Sequence, residues 1–389
     1  MKILLLGEYS NVHWTLAEGL RAIGHTVTVI SDGDGWKNYR RDIDLTRKSL
    51  GTADSIRYYA SILKLLPKMR GYDIVQIINP IFFDLKADKI MPFYRYLRRH
   101  NKKLVMGAFG MDHYWVKTCM DCKTFRYSDF NIGNQLRSEE PCNRQFVKDW
   151  LDGEKTELNK AIAKDCDAVI AGLYEYYRCY QPVFPDKTTF IPFPIKVSHT
   201  SAIHTSEGIL SSGRPAATHT ESDDDRRPVS FFVGIQRGRS EYKGTEIMLK
   251  ALQRVHDKYP DRCELNIAES VPFDEYQRMI ESSDVLIDQL YSYTPAMNAL
   301  LAMSKGIVAV SGGEPENYEI LGENELRPIV NVLPDEQDCY YKFEEIVMHP
   351  EKLPEMKAQS VEYVCRHHDY IKVAKQYQTI YSTLLANSK

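Results

Sequence analysis

Residues 234–244 read GIQRGRSEYKG and set Arg237, Arg239 and Lys243 among three glycines. Two guanidinium forks and an ammonium at this density suit phosphate oxygens. Glycines, Gly234 first among them, let the backbone come close to a ligand. The stretch follows the apolar run VSFF, which reads as a buried strand. It precedes TEIMLKALQRVHDKY, whose apolar residues recur at helical spacing. Cations and free backbone amides at the carboxyl end of a strand, ahead of a helix start, favour a phosphate or diphosphate. A solvated basic loop is the plainer alternative.

A second helix start points the same way. In DQLYSYTPAMNALLAMSKGIVAV (288–310), Thr294 reads as an N-cap and Pro295 as the first helical residue. Amides near Ala296, Met297 and Asn298 would then be open to a second phosphate oxygen. Tyr291, Tyr293 and Asn298 are its exposed polar candidates. The turn SGGEPENYEI (311–320) carries Glu314 and Glu316, which suit sugar or ribose hydroxyls, or equally an acidic helix start. Cys119 and Cys122 in TCMDC, with Cys142 and His113 nearby, form one CxxC without a second pair. Free thiols in a loop are expected there rather than a zinc site.

The elements that must position these residues alternate. KILLLG (2–7), TVTVIS (26–31), DIVQII (73–78), KLVMGAF (103–109), DAVIAG (167–172) and TTFIPFPI (188–195) read as short buried strands with helical patterns between them. Residues 110–143 break the rhythm as a long polar and aromatic loop. Residues 196–228 hold little apolar periodicity and read as a linker or inserted loop. Their histidines, His199, His204 and His219, are expected to be solvated rather than metal-bound. Strands resume at VSFFVG (229–234), CELNIAE (263–269), DVLIDQL (284–290), GIVAVS (306–311) and RPIVNV (327–332), and the tail from about 335 is helical. Two open, parallel α/β sheets facing across a cleft follow, with ligands beyond the carboxyl ends of the strands.

Bulk properties agree. The 389 residues suit two domains, and 43% hydrophobic with 26% charged residues is an ordinary globular balance. A net charge of −3 gives no general attraction to nucleic acid. No apolar run reaches the roughly 18 residues of a membrane span. Neither the short MKILLLGEY start nor the eight cysteines indicate secretion, so a cytoplasmic protein is expected.

These pieces together resemble a GT-B-fold glycosyltransferase, most closely the retaining family 4. LAEGLRAIGHTVTVIS resembles the first helix and second strand of that fold. FVGIQRGRSEYKG resembles the stretch whose Arg and Lys bind the donor diphosphate, and LAMSKGIVAVSGGEPE resembles its Glu-Ala-Met-Ala to Gly-Gly-Glu motif. The resemblance implies an acceptor-side Rossmann-like domain over 1–195 and a nucleotide-sugar domain over 229–365. A C-terminal helix over 366–389 would pack back on the first domain. It also implies a nucleotide-diphosphate sugar as donor, a glycan or lipid-linked acceptor, retention of configuration, and no cofactor or metal.

On the first domain, the loop GEYSNVHW would offer Glu8, Ser10, Asn11 and His13 on the acceptor side. Asp112 and His113 would meet the reacting sugar, though such a histidine serves equally as a structural hydrogen-bonder. Arg237 or Arg239 and Lys243 would stabilise the leaving diphosphate. The chain departs from the family where its paired glutamates stand, eight positions apart, because Tyr293 and Leu301 occupy those places. A nucleotide-sugar epimerase and a non-catalytic sugar-nucleotide-binding protein are the rival readings. Residues 93–103 cluster Arg95, Arg98, Arg99, Lys102 and Lys103 with aromatics, either as a solvated helix face or as a peripheral contact with an anionic membrane.

Overall fold

Five of the short apolar runs in the first half become the centre of one parallel sheet. A computed structural model describes residues 1–137, 140–197, 227–235, 240–269 and 271–387. The chain divides into two compact units, Met1–Lys196 with His368–Lys389, and Val197–His367.

In unit 1 the strands are β1 (Lys2–Leu6), β2 (Thr26–Ser31), β3 (Ile43–Asp44), β4 (Ile74–Ile77), β5 (Lys103–Ala108), the small antiparallel pair β6 (Asn131–Ile132) and β7 (Gln135–Leu136), β8 (Ala168–Ala171) and β9 (Thr188–Phe190). Seven of them form a parallel sheet in the order β3-β2-β1-β4-β5-β8-β9. Residues 3–6 of β1 and all of β4 are buried, as continuous apolar runs covered on both faces must be. The helices are α1 (Val12–Ala22), α2 (Thr52–Leu65), α3 (Ala87–His100), α4 (His113–Cys119), α5 (Pro141–Leu151), α6 (Glu154–Asp165) and α7 (Tyr174–Tyr180). The expected long loop over 110–143 therefore contains α4 and the β6–β7 pair. Asp112 starts α4 by accepting the Trp115 N–H, a side-chain cap that a seven-residue helix needs more than periodicity.

Unit 2 holds β10 (Val229–Ile235), β11 (Cys263–Glu269), β12 (Val285–Ile287), β13 (Val308–Ser311) and β14 (Val330–Asn331), all parallel, in the order β11-β10-β12-β13-β14. Its helices are α8 (Ser240–Lys243), α9 (Thr245–Lys258), α10 (Phe273–Glu281), α11 (Met297–Met303), α12 (Pro315–Leu321), α13 (Glu336–Met348) and α14 (Leu353–His367). Buried Met248, Ala251, Leu252 and Val255 give α9 its inward stripe, packed with Phe343 and Val347 of α13.

The chain then re-enters unit 1. Glu323 of unit 2 accepts from His367 Nε2 at 2.7 Å and from Arg366 at 3.1 Å. One residue later, His368 Nδ1–H donates to the Phe193 carbonyl at 2.9 Å, and the Ile195 N–H bonds the His368 carbonyl. Helix α15 (Tyr370–Ala386) follows, capped by Asp369, and packs on α1 with Val373, Ala374, Tyr377 and Tyr381 buried. Among the described residues no helix is long and apolar enough to cross a membrane.

Candidate active site

Open α/β sheets bind ligands beyond the carboxyl ends of their strands, where the strand order reverses. The order in unit 2 places that switch between β10 and β12. The segments leaving these two strands are 236–244 and 288–296, the two stretches whose chemistry stood out in the sequence. Arg237 and Arg239 lie outside the described residues. Lys243 ends α8, and Gly244 follows in the left-handed region at φ +70°. A side chain on Gly244 would meet Leu290 Cβ at 2.7 Å, so this turn is seated directly on the one after β12. The Lys243 carbonyl accepts the Leu290 N–H at 2.9 Å and completes the junction.

The Lys243 ammonium thereby reaches Asp288 Oδ1 at 3.4 Å. Asn298 Nδ2 donates to the same oxygen at 3.3 Å and to Tyr276 Oη at 3.2 Å. The Asp288 side chain is only 2% exposed, while that of Lys243 is 29% exposed. Tyr276 also fills the open side of Gly234, where a Cβ would stand 2.8 Å from its hydroxyl. Gly234 thus admits a tyrosine of α10 rather than a ligand, a correction to the sequence reading.

The segment after β12 differs from expectation too. Helix α11 starts at Met297 behind an extended Ala296, so Thr294 and Pro295 precede it and Thr294 is not its cap. Tyr291 and Tyr293 are buried, not exposed, because each ring adds a large apolar area to the packing. Thr294 and Met297 are buried as well, while Ala296 and Asn298 keep an exposed portion. Glu314 is buried ahead of α12. Its N–H donates to the Tyr293 carbonyl at 3.0 Å, and its Oε1 accepts from Asn331 Nδ2 at 2.9 Å. Glu316 sits half-buried in the first turn of α12. Asp288, Ser292, Ser311, Asn331 and Tyr276 complete this edge. Sequence reasoning passed over them, although Asp288 directly after an apolar run was a visible signal.

In unit 1 the strand order reverses between β1 and β4. Ser10 and Asn11 leave β1 in consecutive left-handed conformations, φ 51° and 69°, which cost of order 1–3 kcal/mol each in residues with a side chain. The Ser10 N–H is held by Asp34 at 2.9 Å. Glu8 is buried and accepts the N–H groups of His13 and Trp14 at 3.1 and 2.9 Å. Burial pushes its carboxyl up to about 8 against those two bonds. His13 Nδ1–H donates to the Gly7 carbonyl at 2.8 Å, and its Nε2 accepts from Gln76 at 3.2 Å. Burial lowers its pKa to about 3, which keeps the ring neutral. Glu8 and His13 therefore hold the loop, while Ser10 and Asn11 carry its partly exposed surface.

Asp112 and His113, expected beside the reacting sugar, are occupied inside unit 1. Asp112 is fully buried and accepts from the Trp115 N–H at 2.9 Å and the Tyr180 hydroxyl at 2.6 Å. Burial raises its pKa to about 6. His113 Nδ1–H donates to the Trp150 carbonyl at 2.8 Å, and burial lowers its pKa.

Of the basic cluster at 93–103, Arg98 pairs with Asp165 and Asp167, Lys102 with Asp73, and Lys103 with Asp167, so Arg95 and Arg99 are the ones with no ion pair among the described residues. Cys119 is buried, and burial drives its thiol pKa well up. Among the described residues no group of three or more His, Cys, Asp or Glu could hold a metal ion. Asp34, Asp44 and Asp167, each in an Asp-x-Asp pair, are engaged by Lys37, Arg41 and Arg98.

Comparison with solved structures settles the architecture. Sucrose-phosphate synthase from Thermosynechococcus elongatus superposes with a TM-score of 0.59 at 13% identity, over all of both chains. Anabaena HepE, solved in complex with UDP and glucose, gives 0.56 at 12% identity, over 98% of this chain and all of the other. The chain has the GT-B fold. UDP-GlcNAc 2-epimerase from Neisseria meningitidis, solved with UDP-GlcNAc, matches at a TM-score of 0.50 and 12% identity, over 99% of this GT-B chain and all of the epimerase. No protein-family model and no curated protein sequence matches the chain.

Proposed function

We propose that this GT-B protein is a glycosyltransferase that moves a sugar from a nucleotide-diphosphate sugar to a glycan or lipid-linked acceptor, with retention and without metal. The observation that carries the reading is the partly exposed Lys243 ammonium at the switch point of the second sheet, fixed by Asp288 and the Leu290 backbone bond. Glycosyl transfer needs charge stabilisation on the departing diphosphate more than a strong nucleophile. Lys243, with Arg237 or Arg239, supplies it. Thr294, Met297 and Asn298 border that position. Tyr293, Glu314 and Glu316 lie on the sugar side, with Glu314 oriented by Asn331.

On unit 1, Ser10 and Asn11 face the acceptor, and Glu8 and His13 hold them in their strained conformation. Asp112 and His113 position α4 rather than touch substrate. A membrane contact through residues 93–103 falls to Arg95 and Arg99. The uridine nucleotides bound in the HepE and epimerase structures make UDP-sugars the first donors to try.

An epimerase would need free acid–base carboxyls. Glu8 and Asp112, two of the carboxyls buried at the edge of unit 1, are taken up by internal hydrogen bonds, and Asp288 of unit 2 faces the Lys243 cation, which favours transfer. Incubating the purified protein with labelled UDP-sugars and lipid-linked or free glycan acceptors tests the choice. Label in a glycoside, persisting in EDTA, is the expected result. An epimerised nucleotide sugar, or donor left unchanged by a protein that binds it, would overturn transfer.

A further inference from the structure

Asp288 is more than the partner of Lys243. Its N–H bonds the Val310 carbonyl at 3.0 Å, which fixes it across the ends of β12 and β13. Both contacts to Oδ1, from Lys243 and Asn298, are long, at 3.4 and 3.3 Å. Oδ2 is buried and has no hydrogen-bond partner among the described residues. Two more buried atoms in the same condition belong to this sheet edge, Ser311 Oγ at the end of β13 and Ser292 Oγ in the segment that leaves β12. Ser292 packs against the backbone of Gly312, next to Ser311.

Buried polar atoms in folded proteins are nearly always hydrogen-bonded, and leaving a carboxylate oxygen without a donor is costly. Three such atoms on the segments that end β12 and β13 form a polar lining that the described residues leave open. A carboxylate only accepts, so what completes it must bring O–H or N–H groups. Phosphate oxygens bring none and are repelled by it. The edge therefore separates two chemistries a few ångströms apart, an ammonium for an anion and a carboxylate with two hydroxyls for a polyol.

We propose that Asp288, flanked by Ser292 and Ser311, accepts a hydrogen bond from a sugar hydroxyl of the bound nucleotide sugar. The inference rests on the donor-site reading above. The hydroxyl belongs either to the ribose or to the transferred sugar, and both lie next to a diphosphate.

The test uses the full chain and calorimetric titration. Wild type is titrated with inorganic pyrophosphate, with UDP, GDP and ADP, with the 2′-deoxy form of whichever binds best, and with its glucose conjugate. Asp288→Asn is then titrated with the same set, after its melting curve shows it folded. Asp288→Ser replaces it if it is not. A charge-assisted hydrogen bond predicts a loss of roughly 10- to 100-fold for the hydroxyl-bearing ligand, well beyond any change for pyrophosphate, which senses Asp288 only through Lys243. If ribose supplies the hydroxyl, the variant also stops distinguishing the 2′-deoxy nucleotide. If the transferred sugar does, the bare nucleotide is unaffected and only the conjugate weakens.

Unchanged affinity for every ligand overturns the proposal. So does an equal loss for pyrophosphate and nucleotide sugar, since Asp288 would then act only by placing Lys243. Failure of wild type to bind any nucleotide overturns the donor-site reading itself, and this inference with it.

Discussion

Single residues in the two units answer to burial more than to their chemical type. Glu8 shows how far this goes. Its pKa is raised from 4.5 to about 8. Below the unfolded value both states hold the proton; between 4.5 and about 8 only the folded state keeps it, so its contribution to stability is lost as pH rises through that window. Neutral His13 acts in the opposite sense, losing stability as pH falls from 6.5 toward 3. Glu8→Gln is fixed in the neutral form. Its melting temperature should therefore fall less than that of wild type between about pH 5 and about pH 8. Parallel curves for the two proteins would show that Glu8 is ionised in the fold. Much of the candidate site was legible at this scale. Lys243, Glu314 and the Ser10–Asn11 loop all stand at the strand ends where their neighbours in sequence placed them. Tyr291 and Tyr293 were misread because a tyrosine's hydroxyl suggests exposure while its ring rewards burial. Asp112 was misread because a helix cap and a catalytic carboxylate look alike in sequence.

Elements were legible in proportion to their apolar length. TVTVIS and CELNIAE became β2 and β11 residue for residue. DVLIDQL kept only three strand residues, because the chain turns at Asp288 toward the Lys243 turn. Two-residue β3, β6 and β7 left no periodic trace. The resemblance implied that the last helix returns to the first domain, but the bond that ties α15 to the first sheet was hidden, since it joins residues 305 positions apart. The Tyr381 hydroxyl donates to Gln76 Oε1 at 2.7 Å, and Gln76 passes the chain of bonds to His13. Tyr381→Phe keeps the ring and leaves a buried carbonyl oxygen unsatisfied. A loss of roughly 1–3 kcal/mol in unfolding free energy is expected, read by denaturant titration. A loss below about 0.5 kcal/mol, the level of an ordinary surface substitution, would mean that the bond contributes nothing.

At the scale of the whole molecule, unit 1 is discontinuous in sequence. Residues 1–196 are completed by 368–389, and the chain between them builds the second sheet. The α/β rhythm made both sheets readable, whereas donor chemistry had to come from a few residues at one sheet edge. On the proposed function, this edge binds the diphosphate of a nucleotide sugar through Lys243. The most direct measurement is the thermal stabilisation of wild type and Lys243→Ala by UDP, GDP, ADP, CMP and their sugar conjugates. A ligand at a hundred times its dissociation constant adds about 2.7 kcal/mol, a clear shift in a melting curve. One nucleotide and its conjugates should stabilise wild type and lose most of that effect in Lys243→Ala, each shift being taken from that protein's own unliganded melting point. No stabilisation by any nucleotide, or an equal shift in both proteins, would contradict the claim.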